Sequence, residues 1–310
     1  MTPRFNTLLL STLLLVGLPF YWFVIDNRPG EPVAKPVTIA QLRSLASSKP
    51  GKPPSAIQYE PVARTSRVRA LNAAGRGLRP DKLFVFSYRL DFADKPPVLI
   101  DTGITAEHAK SKGFDRYYRQ AQVRVVASLR SASHAILLAS GSNHDGGLQS
   151  LATIDPDKAE AFSKVRRETP ASNPYAITPG VVVIPTPDRQ PGTRLVYVRL
   201  ADGRDFLFLG DLAPTRWNIE EMRAPARLVT TYYQPANRDA IFAWLHTVKK
   251  LKRQSPGLTI ISGNKVPKNR GLKRGFPSGK LRKQAGGNRE AIGLGPQPEP
   301  LTAPYKAIVT

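Results

Sequence analysis

Ala139-Ser140-Gly141-Ser142-Asn143-His144-Asp145-Gly146-Gly147 is the stretch on which the reading of this chain turns. An apolar run, Ala135 to Leu138, delivers the chain into it, and a candidate helix begins at Gly147 and continues to Thr153. The single imidazole of His144, beside Asp145 and Asn143, is the group in it with chemistry to offer.

Working outward, Lys82 to Phe92 and Pro97 to Asp101 read as strands joined by a turn at Ala93 to Pro96, and the second ends in Asp101-Thr102-Gly103. Thr105 to Ser131 carries a helical pattern throughout. Gly180 to Ile184 (GVVVI) has the continuous apolar character of a buried strand. Arg194 to Leu209 reads as a hairpin turning at Asp202-Gly203, because Asp-Gly supplies the positive φ angles of a tight hairpin turn. Asp239 to Leu251 is an amphipathic helix with Ile241, Trp244 and Val248 on one face, and Leu258 to Ile261 is a last strand. Strands and helices that alternate without strict β-α-β spacing point to a mixed α/β sandwich.

Four segments, taken in order, resemble the metallo-β-lactamase superfamily. Leu99 to Gly103 is similar to its strand-end Asp-Thr-Gly turn. The 139–147 loop sits without a gap in the frame His-x-His-x-Asp-His-x-Gly-Gly. Thr186 to Thr193 (TPDRQPGT) resembles the Thr-Pro-Gly-His-Thr-Pro-Gly-Ser loop, and Phe208-Leu209-Gly210-Asp211 resembles the Phe-x-Gly-Asp strand end. The resemblance implies a four-layer αββα sandwich with a ligand cleft at one edge. It also implies a zinc site, since zinc takes three or four N, O or S ligands at about 2 Å and keeps a position open for water. Carried over position by position, the ligand set is Ala139, Gly141, Asn143, His144, Arg189, Asp211 and Asn264, of which only His144 and Asp211 are competent. With Asp101 and Asp145 these residues define the expected cleft. No cofactor is expected from them, and zinc belongs to the alternative reading, in which Asp145, His134 and His246 rebuild a shifted site.

The structural readings of those three are a polar loop end for His134, a helix position with basic neighbours for His246, and a helix cap or loop hydrogen bonds for Asp145. Arg189 places a permanent cation where the family has a ligand. It is expected to pair with Asp211 in a charge-assisted bond that replaces the metal electrostatically. No Gly-x-Ser-x-Gly elbow or phosphate-cradling Gly-x-x-x-x-Gly-Lys occurs. Ser142, His144 and Asp145 are neighbours in sequence only, which does not make a triad.

The chain's 310 residues are 41% hydrophobic, enough for a core of ordinary size. Having no cysteine, it excludes disulfides, thiolate ligands and a Cys nucleophile. A charge-free run from Asn6 to Ile25 matches the roughly 30 Å hydrocarbon core of a bilayer at about 1.5 Å per helical residue. A membrane-spanning anchor is expected over residues 1–26, against the rivals of a cleaved signal peptide and a buried core helix. Phe20 to Phe23 would form an interfacial aromatic belt, and Arg4 with the free amine places the body outside the cytoplasm, on the periplasmic side of the inner membrane in a Gram-negative cell. Residues 27–55 read as a Pro-rich spacer that holds the body off the membrane, with a short helix at Val37 to Ala46. The body is expected over 56–265 and a basic, Gly/Pro-rich tail over 266–310.

A net charge of +23 attracts polyanions generally. Thirteen Lys or Arg against one acid between Lys249 and Glu290 concentrate that charge near the C-terminus, as a solvated tail or a contact to an anionic surface. Nucleic acid is disfavoured, because Phe276 is the only aromatic between Gly263 and Pro304. The expected function is that of a membrane-anchored, non-catalytic binding protein on a hydrolase fold. Its rivals are a divergent metal-dependent hydrolase of an ester, phosphoester or lactam-like bond, and a polyanion-binding protein using the basic region.

Overall fold

Val181 to Pro185 are buried without exception. Successive strand side chains point to opposite faces, so an unbroken apolar run means that both faces of its sheet are covered. Val181 and Val183 pack with Val196, Val198, Phe206 and Phe208 on one face, while Val182 and Ile184 pack with Leu195, Tyr197 and Leu207 on the other.

A computed structural model describes residues 3–167, 172–265 and 271–277. In chain order its elements are α1 (Pro3–Phe20), α2 (Ile39–Ala46), β1 (Ala56–Val68), α3 (Arg69–Asn72), β2 (Pro80–Asp91), β3 (Val98–Ile100), α4 (Ala106–Ser111), β4 (Arg116–Tyr117), α5 (Arg119–Ser131), β5 (His134–Ile136), α6 (Gly146–Ile154), α7 (Pro156–Arg167), β6 (Tyr175–Thr178), β7 (Val181–Pro185), β8 (Arg194–Arg199), β9 (Asp205–Phe208), α8 (Arg216–Glu220), α9 (Arg238–Gln254), β10 (Thr259–Ile261) and β11 (Lys273–Arg274). All of them lie in one unit, Met1–Ser278; a second unit, Gly279–Thr310, falls outside the described residues, and with it most of the expected tail.

One sheet has the order β11-β1-β2-β3-β5, with β4 on β1, and the other β10-β9-β8-β7-β6. Phe86, Tyr88, Leu90 and Ile100 of the first meet Val183, Val198, Phe206 and Phe208 of the second in the central core. Val62, Val85 and Leu99 turn outward against Val125 and Leu129 of α5, Leu151 of α6 and Phe162 of α7. On the far side, Ile241, Phe242, Leu245 and Val248 of α9 and Leu42 of α2 cover the second sheet. The order of layers is αββα, in agreement with the resemblance.

The structure corrects several expectations. Thr105 to Ser131 is not one helix: Gly113, at φ 65°, takes the left-handed conformation that ends α4, and β4 pairs with β1 before α5 begins. His134 lies in β5, paired with Val98, rather than at the end of a polar loop. β1 is long despite Pro61, which is accommodated where the register with β2 shifts between Pro61 and Ala63. Within the expected tail, β11 adds a parallel edge strand to β1, and Phe276 is buried in the outer core.

The N-terminal helix, with its π-helical continuation to Ile25, is long and apolar enough to cross a membrane, with a mean hydropathy of 2.2. The segment after Ile25 is not a free spacer. Asp26 is buried, and its carboxylate accepts bonds from Arg28 (2.7 Å) and Arg227 (2.8 Å). The Asn27 side chain bridges Met222 O and Ala224 N, Lys35 N–H donates to Thr247 Oγ1, and Val37 enters the core.

Candidate functional site

Asp101 comes directly after β3 with φ 55°, a left-handed conformation that Asp tolerates better than most non-glycine residues. Its backbone N–H donates to Ile136 O, and its Oδ1 accepts the Leu138 N–H at 2.8 Å. The backbone and one carboxylate oxygen of Asp101 are thus both tied to the loop entry, and Oδ2 faces His144 Nδ1 at 2.8 Å. Thr102 holds the loop from the other direction: its N–H and hydroxyl both donate to His144 O, at 2.7 and 3.0 Å. Gly146 and Gly147 donate to Gly103 O and Thr102 O. A Cβ at Gly146 would stand 2.3 Å from the Ile104 carbonyl carbon, and one at Gly147 would stand 2.7 Å from Thr102 O. The glycine pair permits this close approach of two backbones.

The second ring nitrogen of His144, Nε2, lies 3.2 Å from Asp211 Oδ2. Asp211 sits on the single 3-10 turn Gly210–Leu212 just past β9, where Gly210 packs under Leu138. With a carboxylate at each nitrogen, the fitting form of the ring is the imidazolium, donating through both N–H groups. Burial alone would push this imidazole down, but Asp101 and Asp211 outweigh it and hold it well above its usual range. Burial alone would likewise raise the Asp211 carboxyl; the charge and hydrogen bond of His144, then Arg189 and Arg67, hold it well below the ordinary carboxylate value. At Asp101 burial wins, and the carboxyl is raised despite His144.

The other expected positions are distributed differently. Ala139 is buried, and Gly141, at φ 145°, contributes its carbonyl to the His144 N–H. Asn143 Oδ1 accepts from Lys112 Nζ at 3.2 Å. Asp145 occupies the N-cap position of α6 without capping it; its side chain accepts from Gln149 Nε2 instead. Asn264 clamps two segments together, its Nδ2 donating to Phe84 O and its backbone N–H to Pro214 O. Arg189 is buried, yet it makes no hydrogen bond or ion pair with Asp211: its Nε has no partner, and burial lowers its pKa. The expected guanidinium–carboxylate pair is therefore replaced by the His144–Asp211 bond.

A small cleft lies beside this cluster, lined by Arg67, Phe84, Phe114, Asn143, Asp211 and Asn264 among others. His144 reaches it through Asp211. Arg67 and Lys112, which bear electrostatically on Asp211, and Gln122, whose amide donates to Thr102 O, carry no sequence signal that would have marked them.

The donors present do not fit a zinc centre. Ala139 and Gly141 have no donor atom, Arg189 is cationic, and Asn264 is spent on a backbone clamp. Asp101 and Asp211 bind opposite nitrogens of one ring instead of converging with it, and no group of three or more His, Cys, Asp or Glu suited to a metal ion occurs among the described residues.

Neither a protein-family model nor a curated protein sequence matches the chain. Solved structures do. An N-acyl homoserine lactone hydrolase with N-hexanoyl-L-homoserine bound at its catalytic metal centre superposes with a TM-score of 0.53 at 14% identity, covering 68% of this chain and 94% of that one. A quorum-quenching N-acyl homoserine lactone lactonase gives 0.54 at 15% identity, over 70% and 95%. A variant of AiiA from B. thuringiensis with N-decanoyl-L-homoserine at its active site gives 0.52 at 15%, over 68% and 94%. Identities this low speak to architecture, and they agree with the αββα order of layers: the chain has the fold of the metallo-β-lactamase superfamily.

Proposed function

We propose that this is a membrane-anchored protein of metallo-β-lactamase fold that binds a ligand in its cleft without hydrolysing it. One geometric observation carries the reading: both ring nitrogens of His144 are engaged, Nδ1 by Asp101 at 2.8 Å and Nε2 by Asp211 at 3.2 Å, which leaves neither aimed at a metal or at a proton to abstract. A general base needs an unprotonated nitrogen within reach of its proton, and a zinc ligand needs one aimed at the ion. The cluster supplies a fixed internal charge pattern, with Arg67 and Asn143 on the cleft wall to receive polar or anionic groups. The alternative, a divergent hydrolase, draws its support from the fold shared with the lactonases.

Full-length protein purified without chelator, assayed for zinc by elemental analysis and for ring opening of N-hexanoyl homoserine lactone, tests the reading. The expected result is substoichiometric zinc and no turnover above buffer. One tightly held zinc per chain, lost together with lactonase activity on chelation, would replace it with the hydrolase.

The basic C-terminal region supports a weaker polyanion contact, since Lys273 and Arg274 are exposed on edge strand β11.

A further inference from the structure

The end of the apolar N-terminal helix packs on segments that also line the cleft. Gly75 N–H donates to Val24 O at 3.0 Å, and a Cβ at Gly75 would lie 3.0 Å from Ile25 O. The Arg227 guanidinium stacks 4.1 Å from the centre of the Trp22 ring, and Phe23 and Tyr232 approach to 5.9 Å between ring centres. Beyond Ile25, Asp26 is locked to Arg227, and Asn27 to Met222 and Ala224. Two segments thus grip the helix exit, residues 69–77 and residues 222–234. The same segments supply Leu71, Asn72, Pro225, Val229 and Gln234 to the cleft.

On the outside of that grip the surface is aromatic and cationic. Tyr232 and Tyr233 are 64% and 74% exposed and Leu78 is 62% exposed. The Trp217 ring lies between the guanidinium groups of Arg76 and Arg216, at 3.9 and 4.0 Å. Glu221 answers Arg76 and Arg223, and Asp26 answers Arg227, so the balance of charge over these segments stays positive. Tyr and Trp favour the headgroup layer, and Arg near it is drawn to anionic lipid. Tyr232 approaches Phe23, in the last turn of a helix that would end in that layer.

We propose that the surface around Tyr232 and Tyr233 rests on the headgroups of the bilayer holding the N-terminal helix, with anionic lipid headgroups as its partner. The proposal rests on the membrane anchor of the proposed function, and it reverses the expectation of a body held away by a spacer. A helix exit hydrogen-bonded and ion-paired to the body leaves little freedom to pivot, so this face meets the membrane by construction.

The natural absence of cysteine permits single fluorescent labels at Tyr233→Cys, at Gln234→Cys in the cleft wall and at Asp202→Cys, at the exposed hairpin turn as a control. The full chain would be reconstituted into phosphatidylcholine vesicles with and without phosphatidylglycerol, using doxyl lipids as membrane quenchers and iodide as the aqueous one. The expected result is doxyl quenching and loss of iodide access at Tyr233→Cys and Gln234→Cys, strengthened by phosphatidylglycerol, with Asp202→Cys open to iodide. Protein that floats with the vesicles but whose three labels are equally open to iodide overturns this proposal and leaves the anchor standing. Protein that does not float overturns both.

Discussion

His144 Nδ1 lies 2.8 Å from Asp101 Oδ2, a bond between side chains that are each less than one-tenth exposed. Asp101 does three things at once: it takes the left-handed backbone conformation, accepts the Leu138 N–H and holds the ring. Removing one partner of a buried ionic pair leaves the other desolvated and alone, a loss of about 3–5 kcal/mol. Asp101→Ala should therefore lower stability by that amount in chemical denaturation. Asp101→Asn, which keeps the backbone tolerance and an oxygen for Leu138, should cost about 1–3 kcal/mol. Equal losses for the two variants would mean that the charge contributes nothing.

The same cluster sets a pH dependence. The folded pKa of His144 is raised, so its contribution is fully present below about pH 6.5, its usual value, and declines as pH rises through the folded value. Asp101, also raised, works in the same direction. Asp211 is lowered, so its contribution is present above about pH 4 and is lost on acidification through its folded value. Thermal melts of the parent should show stability falling above neutrality, and His144→Gln should flatten that slope. An unchanged slope in the variant would assign it to other groups.

Gly146 and Gly147 separate packing from chemistry. A Cβ at Gly146 meets the backbone of Ile104 and Thr105, which cannot rotate away as a side chain could. Overpacking of this kind costs typically about 1–3 kcal/mol and sometimes more, so Gly146→Ala should destabilise by at least that much. Gly257→Ala, where a Cβ meets nothing within 4 Å, should stay within about 0.5 kcal/mol of the parent. Comparable melting temperatures for the two would show that the loop yields without strain.

Local signals in this chain are legible and distant ones are not. The hairpin at Asp202-Gly203 and the strand Gly180 to Ile184 are read from adjacent residues, and both stand where their sequences put them. The αββα order is legible through four short segments, each fixed by a turn glycine or a strand-end Asp. The pairing of His144 with Asp211 spans 67 residues, and no local pattern says which cation a carboxylate will face; Arg189 has the stronger charge but not the bond. Asp26 and Asn27 look like linker residues because their partners, Arg227 and Met222, lie 201 and 195 positions away. A two-residue strand of Lys273 and Arg274 has no apolar pattern to betray it.

That strand, β11, is held to the sheet by a carboxylate. Glu60 is buried in β1, where it accepts Arg124 Nε at 2.5 Å and Nη2 at 3.1 Å, and also the backbone N–H of Phe276 at 2.7 Å. Phe276 is 4% exposed and packs with Val62, Val85 and Val125, while Gly275 N–H donates to Tyr59 O. One carboxylate thus ties α5 and the 271–277 segment to the same sheet edge. Phe276→Ala opens a cavity in the outer core and should cost about 3–5 kcal/mol. Glu60→Gln keeps an acceptor but loses the charge-assisted bonds; because Arg124 is one-third exposed and can turn to water, its cost should stay at about 1–3 kcal/mol. Hydrogen exchange distinguishes a local effect from a global one: in Glu60→Gln the Gly275 and Phe276 amides should exchange much faster while those of β7 and β8 keep their protection. Unchanged exchange at Phe276 would show that the ring's burial, not the carboxylate, holds this segment in place.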